Sequence, residues 1–294
     1  MASVRAHLLN WFLRHFVKPQ MKRLKTPLEG RQALDRVISP RHPQARYAAA
    51  TIGGLSGERV DGPGAPFGTL LYLHGGAYIA MSSRTHHAIT GAFAAGGLRV
   101  FAPDYRLAPE HPFPAALDDA IAGYEALRRE AQGPLFVAGD SAGGGLALAL
   151  MLRLRDEGRP LPAGAVLFSP WTDLAATGAS LKTNRRRDPL FDPDSIPETA
   201  AYYYGKANPR DPLVSPLYGD MKGLPPLNIW VGKREILLDD SRRVAEKARA
   251  AGVRVELEVR PVVPHVWQLL GGFLPEAVQS LDKSVAFLRG CVRS

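Results

Sequence analysis

Cysteine is nearly absent: Cys291 stands alone in 294 residues, so no disulfide can form within the chain. A reducing, cytoplasmic setting is therefore expected. Uninterrupted apolar runs of about eighteen residues, the length of a membrane span, are missing too. The opening MASVRAHLLNWFLRHFVK has an apolar run too short and too broken for a secretory signal, and no small-residue cleavage site follows. Zinc-finger spacing, RNA-binding signatures, internal repeats and low-complexity segments are likewise lacking. Acids are missing from residues 1–27, which hold Arg5, Arg14, Lys18, Lys22, Arg23 and Lys25 and supply much of the formal net charge of +9. Such an excess suggests nucleic acid or an acidic membrane. Without a binding motif, and with Arg185-Arg186-Arg187 followed at once by Asp188, it reads as a solvated basic face. No nucleic-acid partner is expected.

What is present is an ordinary globular composition, 46% hydrophobic and 22% charged, which is ample for a core. Leu8, Leu9, Phe12, Leu13, Phe16 and Val17 recur at helical spacing, with Arg14, Lys18 and Lys22 on another face and a break near Pro19. This basic amphipathic helix is expected to pack on the body of its own protein; a membrane surface is the alternative. Residues 46–60 read as two short strands joined through Gly53-Gly54. Strands follow at 68–73, 98–102, 134–139, 163–168, 227–231 and 253–260, with helices at 84–95, 113–130, 142–156, 236–251 and 275–289 between and after them. This alternation predicts an α/β fold: a mostly parallel central sheet with helices on both faces. The chemistry of such sheets gathers at the carboxyl ends of the strands. Residues 175–212 break the rhythm. They are polar, carry Tyr202-Tyr203-Tyr204, and are expected to form a lid or binding element.

Gly139-Asp140-Ser141-Ala142-Gly143 is the stretch around which the chain is organised. It is G-x-S-x-G between a candidate strand and a candidate helix, the setting of a nucleophile elbow. The turn is so sharp that side chains flanking the serine would collide, which accounts for both glycines. The helix start then brings backbone N–H groups and positive dipole to where negative charge develops. In that arrangement an acid and then a histidine follow the serine. Of eight histidines only His265 lies downstream of Ser141. For the acid, Glu235 sits in the loop after strand 227–231, whereas Asp239 and Asp240 fall in the following helix, where acids of a first turn complement the dipole. Past another strand end, the glycines after His74 let amides approach a substrate oxygen.

Taken together, His74-Gly75-Gly76-Ala77-Tyr78, Tyr105-Arg106-Leu107-Ala108-Pro109-Glu110, Gly139-Asp140-Ser141-Ala142-Gly143-Gly144 and the segments around Glu235 and His265 resemble the hormone-sensitive lipase family of α/β-hydrolases, including its bacterial carboxylesterases. The resemblance spans about residue 40 to the C-terminus. It implies one α/β-hydrolase domain over 1–294, with helical cap elements at about 1–40 and 175–212. It also implies Ser141 as nucleophile, His265 as base, Glu235 as acid, and an oxyanion hole of the Gly75, Gly76 and Ala142 amides. Trp171 and Tyr203 would shape the pocket. The chain departs from the family pattern where HGGG reads HGGA, so that a left-handed backbone at Ala77 would be strained, and where glutamate replaces the commoner aspartate. The implied activity is that of a serine carboxylesterase acting on small short- to medium-chain esters without metal or cofactor. No stable membrane insertion is implied, and a homodimer is left open. An amidase or lipase would use the same triad. A non-catalytic receptor, as in the gibberellin receptors, would lack the histidine that this chain retains.

Overall fold

The computed structural model describes residues 2–23, 26–36 and 39–292; Lys25, counted among the basic residues of the opening segment, lies outside them. Eight strands form one sheet: β1 (Arg46–Ile52), β2 (Leu55–Asp61), β3 (Gly68–Leu73), β4 (Leu98–Pro103), β5 (Leu135–Asp140), β6 (Ala165–Phe168), β7 (Leu227–Gly232) and β8 (Val255–Arg260). Their order is β1-β2-β4-β3-β5-β6-β7-β8. β1 and β2 form a hairpin that joins β4 antiparallel, and every later pairing is parallel. The hairpin turn places Gly53 and Gly54 at φ of 63° and 81°, the left-handed pair that a tight two-residue connection demands.

The central strands are buried on both faces, and the two-residue period sorts their side chains. Leu71, Leu73, Val137, Leu167 and Ile229 join the core on one face; Leu70, Tyr72, Phe136, Phe168 and Trp230 join the core on the other. Helices Ala115–Glu130, Ser141–Asp156 and Leu238–Ala250 cover the first face, and His87–Ala95 and Pro275–Gly290 the second. Elements start or end within a few residues of the expected bounds. The helix expected at 84–95 begins as a tight turn over Ser83–His86, and the one expected at 113–130 begins at Ala115, after Pro112 and Pro114.

The opening segment departs more from expectation. Its helix runs Val4–Phe12, widens into a π-helical turn over Leu13–Val17 and resumes over Lys18–Met21. Pro19 has no N–H to give the carbonyl four residues back, and its ring crowds that carbonyl, so the wider turn absorbs the break. Ala6 and Asn10 face inward, whereas Leu8, Trp11, Phe12 and Phe16 are exposed. The apolar stripe therefore packs on the body of the protein only along one edge. The basic side chains are not simply solvated either. Arg14 donates to the Arg187 carbonyl at 2.7 Å, Lys18 to that of Asp188 at 2.8 Å, and Lys22 pairs with Asp192 at 2.5 Å. Segment 185–192 is thereby bound to the opening helices. Among the described residues no helix is long and apolar enough to cross a membrane.

Candidate active site

Ser141 follows β5 directly and opens the helix Ser141–Asp156 with φ of 51°, a left-handed angle that costs a non-glycine residue about 1–2 kcal/mol. Its flanking glycines are obligatory. A Cβ on Gly139 would stand 2.3 Å from the Gly143 carbonyl oxygen, and one on Gly143 would stand 2.0 Å from that of Leu73. Close packing of β3, β5 and the helix thus leaves no other residue type at either position.

Glu235 and His265 meet in the loops after β7 and β8. The buried imidazole donates from Nδ1 to Glu235 Oε2 at 2.6 Å. Glu235 Oε1 accepts from Ser169 Oγ at 2.8 Å and from the Gly232 amide at 2.5 Å, so the carboxylate is held on both oxygens. Burial by itself lowers the pKa of His265, but the charge and hydrogen bond of Glu235 outweigh it, and the net shift is upward. With Nδ1–H committed to the carboxylate, Nε2 carries the lone pair. That atom is buried without a hydrogen-bond partner; no bond to Ser141 Oγ is present in this structure. Phe191 meets the His265 ring edge-on at 4.9 Å. It also lines the cavity of about 170 Å³ that contains Ser141. Val266 takes φ of 47°, which is strained for a β-branched residue, and its amide reaches Ser169 Oγ at 3.4 Å.

The oxyanion assignment needs one correction. The Gly75 amide already donates to Asp140 Oδ1 at 3.0 Å, and a Cβ there would meet the same carboxylate at 2.2 Å. Gly75 therefore anchors the loop instead of facing a ligand. Asp140 also accepts from Tyr72 OH at 2.6 Å and pairs with His86 at 3.2 Å. Burial alone would raise its pKa, but His86 and Tyr72 hold it below the usual carboxylate value. The next two residues carry positive φ, 112° at Gly76 and 56° at Ala77, so the strain anticipated at the departure from HGGG is present. Among the described residues, neither amide has a hydrogen-bond acceptor.

Trp171 lines the Ser141 cavity, together with Ala77, Leu237 and Tyr202. Tyr203 does not. It turns inward and stacks on Tyr78 with ring centroids 3.6 Å apart, because the helical twist sends successive tyrosines of Ile196–Tyr204 in different directions. The opening segment contributes Met21, Thr26, Gly30 and Leu34 to the same wall.

Asp239 and Asp240 make no contact with His265. The Asp239 carboxylate accepts from the Ser180 amide at 2.7 Å, and Asp240 Oδ2 accepts from the amides of Thr172 and Asp173 at 2.8 Å each. They pin the chain beyond β6 and do not merely complement a helix dipole. Burial pushes Asp240 up to about 7, with the Asp173 charge adding to it. Because this folded-state value lies above the ordinary 3.8, the contribution to stability is complete below the unfolded pKa and is lost as pH rises through about 7. Asparagine keeps an acceptor for both amides and removes the titration. Asp240→Asn is therefore expected to melt increasingly above the parent as pH rises from about 5 to 8, as read by thermal unfolding at each pH; parallel melting curves across that window would contradict it.

Three further residues shape the site although sequence reasoning gave them no role there. Ser169 bridges Glu235 and the His265 loop. Asp188 accepts from the amides of Leu190, Phe191 and Ile236 at 2.8–2.9 Å. Asn184 donates to the carbonyls of Lys233 and Glu235 at 3.1 and 2.8 Å. The available signals were a serine just past a strand end and an acid that closes an arginine run. Among the described residues no group of three or more His, Cys, Asp or Glu is placed to hold a metal ion.

A sequence model of the alpha/beta hydrolase fold matches residues 70–269. An acetyl-hydrolase of Streptomyces hygroscopicus is 44% identical over 242 residues, covering 81% of each chain. An esterase of Acinetobacter venetianus is 36% identical over 263 residues, covering 87% of each. Among solved structures, an esterase from the bacterial hormone-sensitive lipase family superposes with a TM-score of 0.92 at 39% identity and covers 99% of both chains. These matches extend over the strand ends that hold Ser141, Glu235 and His265, and the chain belongs to the hormone-sensitive lipase family of α/β-hydrolases.

Proposed function

We propose that this carboxylic-ester hydrolase cleaves small, short-chain esters through an acyl-enzyme on Ser141, with His265 as base and Glu235 as the acid that orients it. The observation that carries the reading is the Glu235–His265 pair, buried and hydrogen-bonded, with Nε2 left without a partner and the ring packed on Phe191, which lines the cavity that contains Ser141. Nε2 takes the proton as Ser141 Oγ attacks the ester carbonyl, then returns it to the departing alcohol oxygen. Glu235 stabilises the imidazolium that exists between these transfers. Charge on the carbonyl oxygen is taken up by backbone amides at the start of the Ser141 helix, where Ala142 sits, and by those of Gly76 and Ala77. Water repeats the cycle on the acyl-enzyme.

The cavity volume supports the short-chain reading. A cavity near 170 Å³ lies below the about 300–1,000 Å³ usual for ligand pockets, which favours short acyl groups, and acetyl-hydrolases stand among the relatives. Segments 1–40 and 175–212 act as the cap of a single domain, since both contribute to this wall and are bonded to each other. A fluorophosphonate is expected to label Ser141, located by mass spectrometry, and a nitrophenyl ester series is expected to turn over fastest at its shortest members. A label on another serine, or a rate that rises toward sixteen carbons, rejects the proposal. Met21→Ala combined with Leu34→Ala is expected to shift the preference toward longer chains, because both side chains close the cavity. An unchanged profile would remove the opening segment from the pocket.

A further inference from the structure

The exposed apolar surface of this protein is concentrated in one place. Among the described residues eight large apolar side chains are exposed, and five of them stand on the opening helical run: Val4 at 75%, Leu8 at 62%, Trp11 at 57%, and Phe12 and Phe16 at 49% each. A sixth, Phe273, lies beside it, its carbonyl accepting from Arg5 at 3.0 Å and its ring under the Arg5 guanidinium. Val4, Leu8, Trp11 and Phe12 fall at i, i+4, i+7 and i+8, one face of a helix. The opposite edge is fixed to the protein by buried Ala6 and Asn10 and by Ser3, whose amide donates to Glu276 at 2.6 Å. The outward face of this anchored helix is thus left uncovered among the described residues.

Exposed cations accompany this face on the same run and on the segment tied to it. Arg5, Arg14, Arg23, Arg186 and Arg187 are exposed, and none has a carboxylate partner among the described residues. The last two belong to the segment that Arg14 ties to the helix. A contiguous aromatic and aliphatic patch on a well-anchored soluble fold marks an interaction site. Exposed aromatic side chains on a run that carries Arg5 and Arg14, with no acid in the first 27 residues, fit a lipid surface of negative charge.

We infer that the outer face of residues 4–16 docks on anionic lipid bilayers, lying in the interface without crossing it. The same segment runs on to supply Met21, Gly30 and Leu34 to the cavity wall, so docking holds the Ser141 cavity at the lipid surface. The docking itself is independent of the reaction proposed above.

The test is co-sedimentation of the full chain with vesicles of phosphatidylcholine, alone or mixed with phosphatidylglycerol, at low and high salt. Recovery with the anionic vesicles is expected to exceed that with neutral ones by about tenfold or more and to fall in high salt. Trp11 is the exposed one of four tryptophans, Trp171, Trp230 and Trp267 being buried, so vesicles are expected to shield it from acrylamide quenching. Leu8→Asp combined with Phe12→Asp is expected to abolish recovery while melting temperature and hydrolysis of a soluble ester stay at parental values. Arg186→Glu with Arg187→Glu is expected to reduce only the preference for anionic lipid. Failure to bind either vesicle, equal recovery with both, or binding unaffected by the two aspartates overturns the inference. A dimer that those aspartates dissolve, without vesicle binding, overturns it too and gives the face to a second copy of the chain.

Discussion

Ser141→Ala is expected to lower turnover of a short nitrophenyl ester by about 10⁴- to 10⁶-fold and to abolish fluorophosphonate labelling. The substitution removes one oxygen from a half-buried position where the backbone is set by β5, by Gly139 and Gly143, and by the helix that follows. Alanine occupies the same left-handed angle as serine, so the turn itself is retained, and thermal unfolding is expected to stay within a few degrees of the parent. Amides of Gly76 and Ala77 would remain to polarise a carbonyl, which accounts for a residual rate above that in water. Measurement of turnover with both proteins shown to be folded decides the matter. Turnover within tenfold of the parent would place the nucleophile elsewhere and end the acyl-enzyme mechanism.

Glu235→Gln is expected to cost about 10²–10⁴ in turnover, and it also makes a prediction that a purely structural role for the residue would not. As the proposed base, His265 must be neutral to accept the serine proton, so activity is expected to rise with pH through the pKa of the imidazole. Burial lowers that pKa, whereas the Glu235 charge at 2.6 Å raises it by more. In the parent the rising limb is therefore expected above the ordinary value of 6.5. Without the charge, burial is left as the leading influence and the limb moves to lower pH. Glutamine preserves the side-chain length and an acceptor for Ser169 and Gly232, which separates loss of charge from collapse of the loop. A midpoint that stays where it was, with turnover near the parental value, would release Glu235 from the assignment. Asp239→Asn and Asp240→Asn are expected to remain within about tenfold of the parent in turnover, since their carboxylates are committed to the amides of Thr172, Asp173 and Ser180.

Whatever depended on neighbours along the chain was legible without coordinates. The alternation of apolar runs and helical stretches predicted the parallel sheet, because strands buried on both faces must be nearly continuous in hydrophobicity. The elbow was legible because Gly139, Ser141 and Gly143 are confined to five residues whose backbone permits little else. Order alone singled out His265 as the candidate base. Glu235 over Asp239 and Asp240 followed from helix geometry, since one turn displaces a side chain by about 5 Å. Their structural work, holding residues 172–180 in place, had no sequence signal.

Contacts between segments far apart in the chain were decided only by the tertiary structure. Gly75 reads in sequence as an oxyanion donor, and only the fold brings in Asp140, 65 residues away, to accept its N–H. Tyr203 and Tyr202 are adjacent in sequence, and only packing against Tyr78 determines which turns inward and which faces the cavity. The opening helix was amphipathic by periodicity, but periodicity cannot say which side of a helix finds a partner. The fold buried Ala6 and Asn10 and left Trp11 and Phe12 in solvent. Sequence by itself determined the fold class, the strained turn at Ser141 and the candidates for the reactive groups, since backbone sterics and hydrophobic period act over a few residues. The tertiary structure alone decided which amides are free, which rings line the cavity and which apolar face stays uncovered, because hydrogen bonds and packing are satisfied by whatever the fold brings within a few ångströms.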